Sequence, residues 1–529
     1  MFVSPISYYY RVNIADIQVW RKNEKRRIHQ SIFSGVRSIC KKIDDAEISG
    51  DIEKLEIVLK EAESTLSSSD MASQAQLYYS IGTAYSCLAK AKGISQEESI
   101  RKQLYCFRKS IDYIENPVYS KEEYVPYISG LKRLLYTNYA NTLSECGRKI
   151  EVIFQYKKAL NIDCNFGMVL GNLGIEYKHY GLVDYDNGHQ RYFHHFAYTL
   201  LRKATECKAL STYAEAKEYF CKEADEYSKE YVESFLSKYL KIPQLSYENA
   251  EEEEYRKWAV KNSLFLNTLN DLPVQEMCFA TDVLQLPNMV VSIDAKPIFH
   301  GMFNQIKQEY IYARYQYYCS LNPREEPHFA DKDTHLVNFA DYPQYGIRIE
   351  QLKSAFKILY GIFDKLAYFL NSYFDLGIRE RDVSFCHIWI SKYYKKQNRY
   401  SYKNVLNHEE NFALASLYWI SRDFYDRFED SPNPHLKRIS DIRNALEHKY
   451  VKITNGWFPE RTNGEVDDLA LYITEDELSR LTIELMRIVR EAIICLSLCV
   501  HIEEQKKLKD RNGFIPSIPL MEYRDEWKL

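Results

Sequence analysis

The segment Leu436–Ile453, LKRISDIRNALEHKYVKI, gathers residue types that can do chemistry on an anion. An imidazole ordinarily titrates near ~6.5 and can take and return a proton around neutral pH, which suits His448 to acid–base work. A guanidinium offers a fork of donors that can hold an oxyanion and stabilise charge building on it, which suits Arg443. On a helix, Asn444 and His448 are four apart and share one face. Arg443 stands five residues before His448, about 140° round an ideal helix. Its long arm covers part of that gap, and a second copy supplied by a dimer would help complete a site that uses both. Lys437, Arg438, Lys449 and Lys452 make the neighbourhood basic. A bare R-x4-H recurs by chance on the order of once in a chain of this size. The spacing therefore leaves the plain pairings open: His448 with Glu447 or Tyr450, and Arg443 with Asp441 or Glu447.

A second stretch, Lys392–Lys403, interleaves five Lys and Arg residues with four tyrosines, among them Lys395, Lys396, Arg399 and Tyr400. Cations can follow phosphates while rings stack on unpaired bases; a solvated loop is the alternative. Other familiar signatures are missing from the sequence. It has no Walker P-loop, no dinucleotide glycine fingerprint, no H-E-x-x-H and no G-x-S-x-G.

The elements that must position these residues are helices. The 529 residues include only 18 Gly and 15 Pro, together about half the usual share. So few turn formers argue against sandwiches, barrels and propellers. Hydrophobic residues reach 46 %, which excludes low-complexity classes. The net charge of −4 excludes a global polyelectrolyte binder, so any nucleic-acid surface must be local. The twelve cysteines form no C-x-x-C pair, a pattern suited to a reducing cytosol rather than a disulfide framework or zinc site. Met1–Trp20 lacks a signal-peptide pattern. The most apolar run, Ala492–Ile502, falls short of the ~20 residues of a membrane span. These observations predict a cytoplasmic protein with no membrane segment.

From Ile347 the apolar positions recur at three and four residues: Leu352, Phe356, Leu359, Phe363, Leu366, Leu370 and Tyr373. Further helices are expected over Gly301–Leu321, Asn411–Phe428 and His435–Lys452, and from Thr474 onward, where Thr474 and Glu477 form a capping box. The run Glu251–Glu254 suits the start of a helix. The first half repeats. Tyr136, Tyr139, Ala140, Leu143 and Gly147 return as Leu170, Leu173, Gly174, Tyr177 and Gly181, each offset by 34 residues, and Tyr78, Ile81, Gly82 and Tyr85 begin an earlier unit. This pattern resembles the tetratricopeptide (TPR) repeat; a generic bundle with coincidental spacing is the alternative.

A bundle whose third long helix carries R-N-x-x-x-H, followed by one more helix, resembles the HEPN superfamily. The segments LFLNTLNDL, FDKLAYFLN and DIRNALEHKYVKI, downstream of TPR-like repeats, are similar to a bacterial branch that joins the two modules. The resemblance implies an all-α protein: an N-terminal TPR-like helical repeat array followed by a C-terminal HEPN-type helical bundle. The division expected is an N-terminal segment at 1–30, repeats at 31–240, a connecting region at 241–300, the bundle at 301–510 and a tail at 511–529. It implies a metal-independent endoribonuclease without cofactor, with Arg443, Asn444 and His448 catalytic and with a toxin or antiphage role. Asp364, Lys365 and Glu447 are the expected supporting residues. The resemblance suggests that Asp364 and Lys365 face the motif, a solvated helix edge being the alternative. Lys395, Lys396, Arg399, Tyr400, Arg438 and Lys449 are the expected RNA contacts. The partners expected are the RNA substrate, a second copy through the HEPN bundle and a protein or peptide on the repeats. The competing expectation is a non-catalytic scaffold that dimerises and binds a protein or nucleotide.

Overall fold

A computed structural model describes residues 35–92, 95–121, 124–208, 211–227, 246–274, 277–292, 296–322, 327–337, 343–394, 399–402, 410–425, 431–456, 469–509 and 520–528. The fold is all-α. Helices α1 (Arg37–Ser49) and α2 (Ile52–Leu66) lead into three stacked helix pairs. These are α3 (Met71–Lys92) with α4 (Gln96–Ile114), α5 (Val125–Glu145) with α6 (Lys149–Ile162), and α7 (Gly167–Val183) with α8 (Asn187–Glu206). Small residues of the repeat pattern stand where paired helices cross. A Cβ on Gly82 would come within 2.8 Å of the Phe107 ring on α4, and one on Gly174 within 2.9 Å of Leu201 on α8. Between them in the pattern, Ala140 is fully buried.

Helix α9 (Ala214–Asp225) packs against α8. The expected repeat region runs on to residue 240, and its last part falls in 228–245, outside the described residues. The acidic run does open a helix, α10 (Ala250–Lys261). The Asn249 side chain accepts the Glu252 N–H, and Glu251, Glu252 and Glu253 fill the first turn, where the helix dipole favours anions.

The C-terminal bundle consists of α11 (Ile298–Leu321), α12 (Ile347–Tyr373), α13 (Phe412–Tyr425), α14 (Leu436–His448) and α15 (Glu475–Lys509). Helix α15 packs on α11, α12 and α13 and is buried on every side from Val489 to Val500. The most apolar run of the sequence is thus a core helix, and no helix of the described residues is long and apolar enough to cross a membrane. Two short ladders complete the bundle. Strands β1 (Ile390–Tyr394) and β2 (Arg399–Tyr402) pair antiparallel, and β3 (Tyr450–Thr454) and β4 (Ala470–Thr474) pair parallel.

Strand β3 corrects the expected helix over His435–Lys452. The helix stops at His448, and Lys449 turns extended at φ −134°, ψ −153°. Val451, Ile453 and Thr454 are β-branched, and their backbone groups are taken up by β4. The capping box at the start of α15 forms by half. Thr474 Oγ1 accepts the Glu477 N–H at 3.1 Å, but the Glu477 carboxylate goes to Arg438 instead of back to the cap.

One apolar core runs without a break from Ala72 on α3 to Val500 on α15, and a smaller one joins α1 and α2 to the α3–α4 pair. Where the repeat pairs meet the bundle, the seam carries buried charge. Asp423 on α13 accepts two bonds from Arg108 of α4, at 2.5 and 2.9 Å, and one from Arg148 beside α6, at 2.7 Å. Arg148 also pairs with Glu491 of α15 at 2.7 Å, and with Glu151.

Candidate active site

Helix α14 is amphipathic. Ile442 and Ala445 are buried on its inner side, while Glu447 and His448 are exposed at its C-terminal end. Arg443 stands between these faces, and its surroundings come from two helices. On α14, its Nη1 donates to Asn444 Oδ1 at 3.0 Å, and its Nη2 pairs with Glu447 Oε2 at 3.1 Å. On α12, the Tyr360 ring lies 5.5 Å from the guanidinium carbon, and Asp364, one turn further on, lies in the field of both Arg443 and Glu447. Burial raises the Asp364 carboxyl above the usual carboxylate range. The Arg443 charge opposes the rise and the Glu447 charge adds to it.

His448 Nε2 is 3.5 Å from Glu447 Oε2. The guanidinium and the imidazole therefore touch the same carboxylate oxygen. The 140° that separates Arg443 from His448 on the helix is bridged by Glu447, which is one turn from the first and adjacent to the second. The imidazole itself is open to solvent, with 68 % of its side chain accessible. An acid–base group and an anion holder thus face one small space at the protein surface, and an anion already sits between them.

Several expected residues have other roles. Lys365, expected to face the motif, is turned to α11, where it pairs with Glu309. Neighbouring residues on a helix point about 100° apart, so Asp364 and Lys365 cannot both face α14. Arg438, expected at RNA, is held in a two-pronged pair with Glu477 at 2.8 and 2.9 Å, and also donates to the Tyr472 carbonyl at 3.0 Å. It fastens α14 to β4 and α15. Lys452 is buried in β3, with its ammonium over the Tyr450 and Tyr472 rings at 5.4 and 5.5 Å. Of the basic residues round the motif, Lys437 and Lys449 remain exposed. In the second stretch, Lys395 and Lys396 lie outside the described residues, and Arg399 and Tyr400 are placed by backbone alone, in β2 opposite Tyr394 and Tyr393. Among the described residues no cluster of His, Cys, Asp and Glu could hold a metal ion.

Sequence reasoning missed Tyr360. The signal was available, since Tyr360 and Asp364 are four apart on α12 and must share a face. It stands between Leu359 and Phe363 of the core stripe and was not singled out.

Residues 290–503, which hold α11 to α14, most of α15 and the whole of this site, match the LA2681-like HEPN family. The C-terminal bundle is a HEPN domain. HEPN domains are commonly ribonucleases, which gives the bundle a nuclease-type enzymatic reading. The match ends short of the repeat pairs and says nothing of them. No curated protein and no solved structure matches the chain.

Proposed function

We propose that the protein is a metal-independent endoribonuclease whose HEPN domain cleaves RNA by transesterification. The observation that carries this reading is the shared oxygen of Glu447. Arg443 Nη2 and His448 Nε2 converge on one anionic atom, as they would on an oxygen of a scissile phosphodiester.

In the reaction the 2′-oxygen attacks the adjacent phosphorus while the bond from phosphorus to the 5′-oxygen breaks. A base must take the proton of the 2′-hydroxyl, and an acid must give one to the leaving 5′-oxygen. The His448 imidazole can do either, depending on its protonation state. Arg443 holds the phosphate and stabilises the charge that builds on its oxygens in the transition state. Asn444 anchors Nη1 of that arginine. Because each chain brings one His448, a homodimer with facing copies of α14 would supply base and acid together. The products would be a 2′,3′-cyclic phosphate and a 5′-hydroxyl. RNA contacts would come from the exposed Lys437 and Lys449 and from the β1–β2 hairpin. The repeat pairs, joined to α13 through the Arg108–Asp423 seam, are the part of the chain suited to sensing a protein or peptide. In that arrangement the enzyme would serve in the cytoplasm as a toxin or antiphage effector.

The scaffold reading has one observation in its favour: Glu447 pairs with both Arg443 and His448 within the chain, as in an ordinary surface ion cluster. Cleavage of RNA in the presence of EDTA separates the two. Wild type is expected to cut, and His448→Ala and Arg443→Ala are each expected to lose at least ~100-fold in kcat/KM. Equal cutting by His448→Ala would refute the assignment, and no cutting by any form would leave the scaffold.

A further inference from the structure

Glu447 occupies the place that the proposed reaction reserves for the substrate. Its Oε2 lies 3.1 Å from Arg443 Nη2 and 3.5 Å from His448 Nε2. A carboxylate and a phosphodiester compete for the same donors, since each can accept from the planar fork of a guanidinium. They cannot share them, because two anions at contact distance repel. The guanidinium is also incompletely used. Its Nε is buried and has no hydrogen-bond partner, while Asn444 and Glu447 take only the two terminal nitrogens. The side-on fork of Nε and Nη2 therefore has one of its two positions filled, and that one by Glu447. Behind it Asp364 adds a second carboxyl to the field of Arg443, and Tyr360 covers one face of the guanidinium. Asp364 and Glu447 repel each other, and Glu447 lies on the solvent side with 28 % of its side chain accessible. An outward swing of Glu447 is thus open and relieves that repulsion.

We infer that Glu447 is an internal stand-in for the scissile phosphate, an anionic plug that holds Arg443 and His448 together in the resting chain and must swing out for a phosphodiester to bind. The idea rests on the ribonuclease reading for its substrate, but the competition itself is a matter of binding. The plug sets the affinity of the site rather than the chemistry that follows. Each of its two ion pairs is partly exposed and so individually weak. Their joint removal corresponds to a change of about five- to ten-fold in affinity.

The test uses the full chain with Glu447→Gln, which keeps the side chain's shape and removes its charge, and Glu447→Ala as a second variant, both checked for unchanged melting. The binding probe is a 2′-O-methyl RNA oligonucleotide, which cannot form the cyclic product. Both variants are expected to bind it about five- to ten-fold more tightly than wild type at low salt, with the gap narrowing as salt is raised. On cleavable RNA the KM is expected to fall by a similar factor, with kcat little changed. Equal or weaker binding by both variants would overturn the plug. So would a fall in kcat with KM unchanged, which would make Glu447 a positioning residue for His448. If wild type and variants alike fail to cleave but the variants bind the probe more tightly, the plug stands and the ribonuclease reading fails.

Discussion

Replacing Asp423 by Ala tests whether the repeat pairs and the HEPN domain are one cooperative body. Asp423 is 2 % exposed and receives three guanidinium bonds, two from Arg108 and one from Arg148. After the substitution Arg148 keeps the Glu491 and Glu151 carboxylates. Arg108 keeps only neutral partners, the Tyr139 hydroxyl at 2.9 Å and the Pro432 carbonyl at 3.2 Å. One guanidinium, 14 % exposed, is then left with no carboxylate in contact and only the more distant Glu151 charge. Breaking a buried pair by removing one partner costs roughly 3–5 kcal/mol, and the retained polar contacts place this case toward the lower end, about 3 kcal/mol. That is a large part of the ~5–15 kcal/mol that holds a typical domain folded. Urea denaturation of the full chain, followed by tryptophan fluorescence and by far-ultraviolet circular dichroism, reads the loss. Wild type should unfold in one transition by both probes, because a single core joins α3 to α15. The variant should lose about 3 kcal/mol and separate the two probes. A double-mutant cycle with Arg108→Ala should return a coupling above ~1 kcal/mol. A loss under ~1 kcal/mol with coincident transitions would refute the reasoning, and would mean that the apolar core alone holds the seam.

Two further outcomes follow from the structure. Burial lowers the Lys157 ammonium from 10.5 to about 8, against the attraction of Asp271 and with the repulsion of Arg490. Between those two values the unfolded chain holds more protons than the folded one, so this group makes stability rise with pH from about 8 to 10.5 and exacts its full cost below 8. Lys157→Met should remove that slope and raise stability at pH 7 by at most about 3 kcal/mol in a melting series from pH 7 to 10; an unchanged slope would count against it. Gly174→Leu should destabilise the α7–α8 pair by about 2 kcal/mol in the same urea assay, because even a Cβ would sit 2.9 Å from Leu201 and 3.1 Å from the Ala197 carbonyl; wild-type stability would show that the helices can part without cost.

Local patterns were readable from the residues themselves. The apolar spacing from Leu352 to Tyr373 specifies α12, and the cap at Thr474 starts α15, because helical periodicity and capping depend on neighbours three and four residues away. The repeat pattern singled out Gly82 and Gly174, and both stand where paired helices cross. The motif on α14 was also legible, as was Glu447 as a partner for either Arg443 or His448.

The sequence by itself therefore determined an all-helical chain, its repeat pattern, and the helix that carries Arg443, Asn444 and His448. What it left open was which distant group meets each charge. Lys365 goes to Glu309 and Arg438 to Glu477, while Arg108 and Arg148 find Asp423, more than 270 residues away along the chain. Tyr450–Thr454 leave the helix for a strand whose partner, Ala470–Thr474, arrives from some twenty residues further on. Ion pairing and sheet formation are decided by what the fold brings within a few ångströms, and no periodicity encodes that distance. At the site the division runs differently. Glu447 is one turn from Arg443 and adjacent to His448, so α14 by itself brings both to a single oxygen, and the tertiary structure adds the face of α12 that supplies Tyr360 and Asp364.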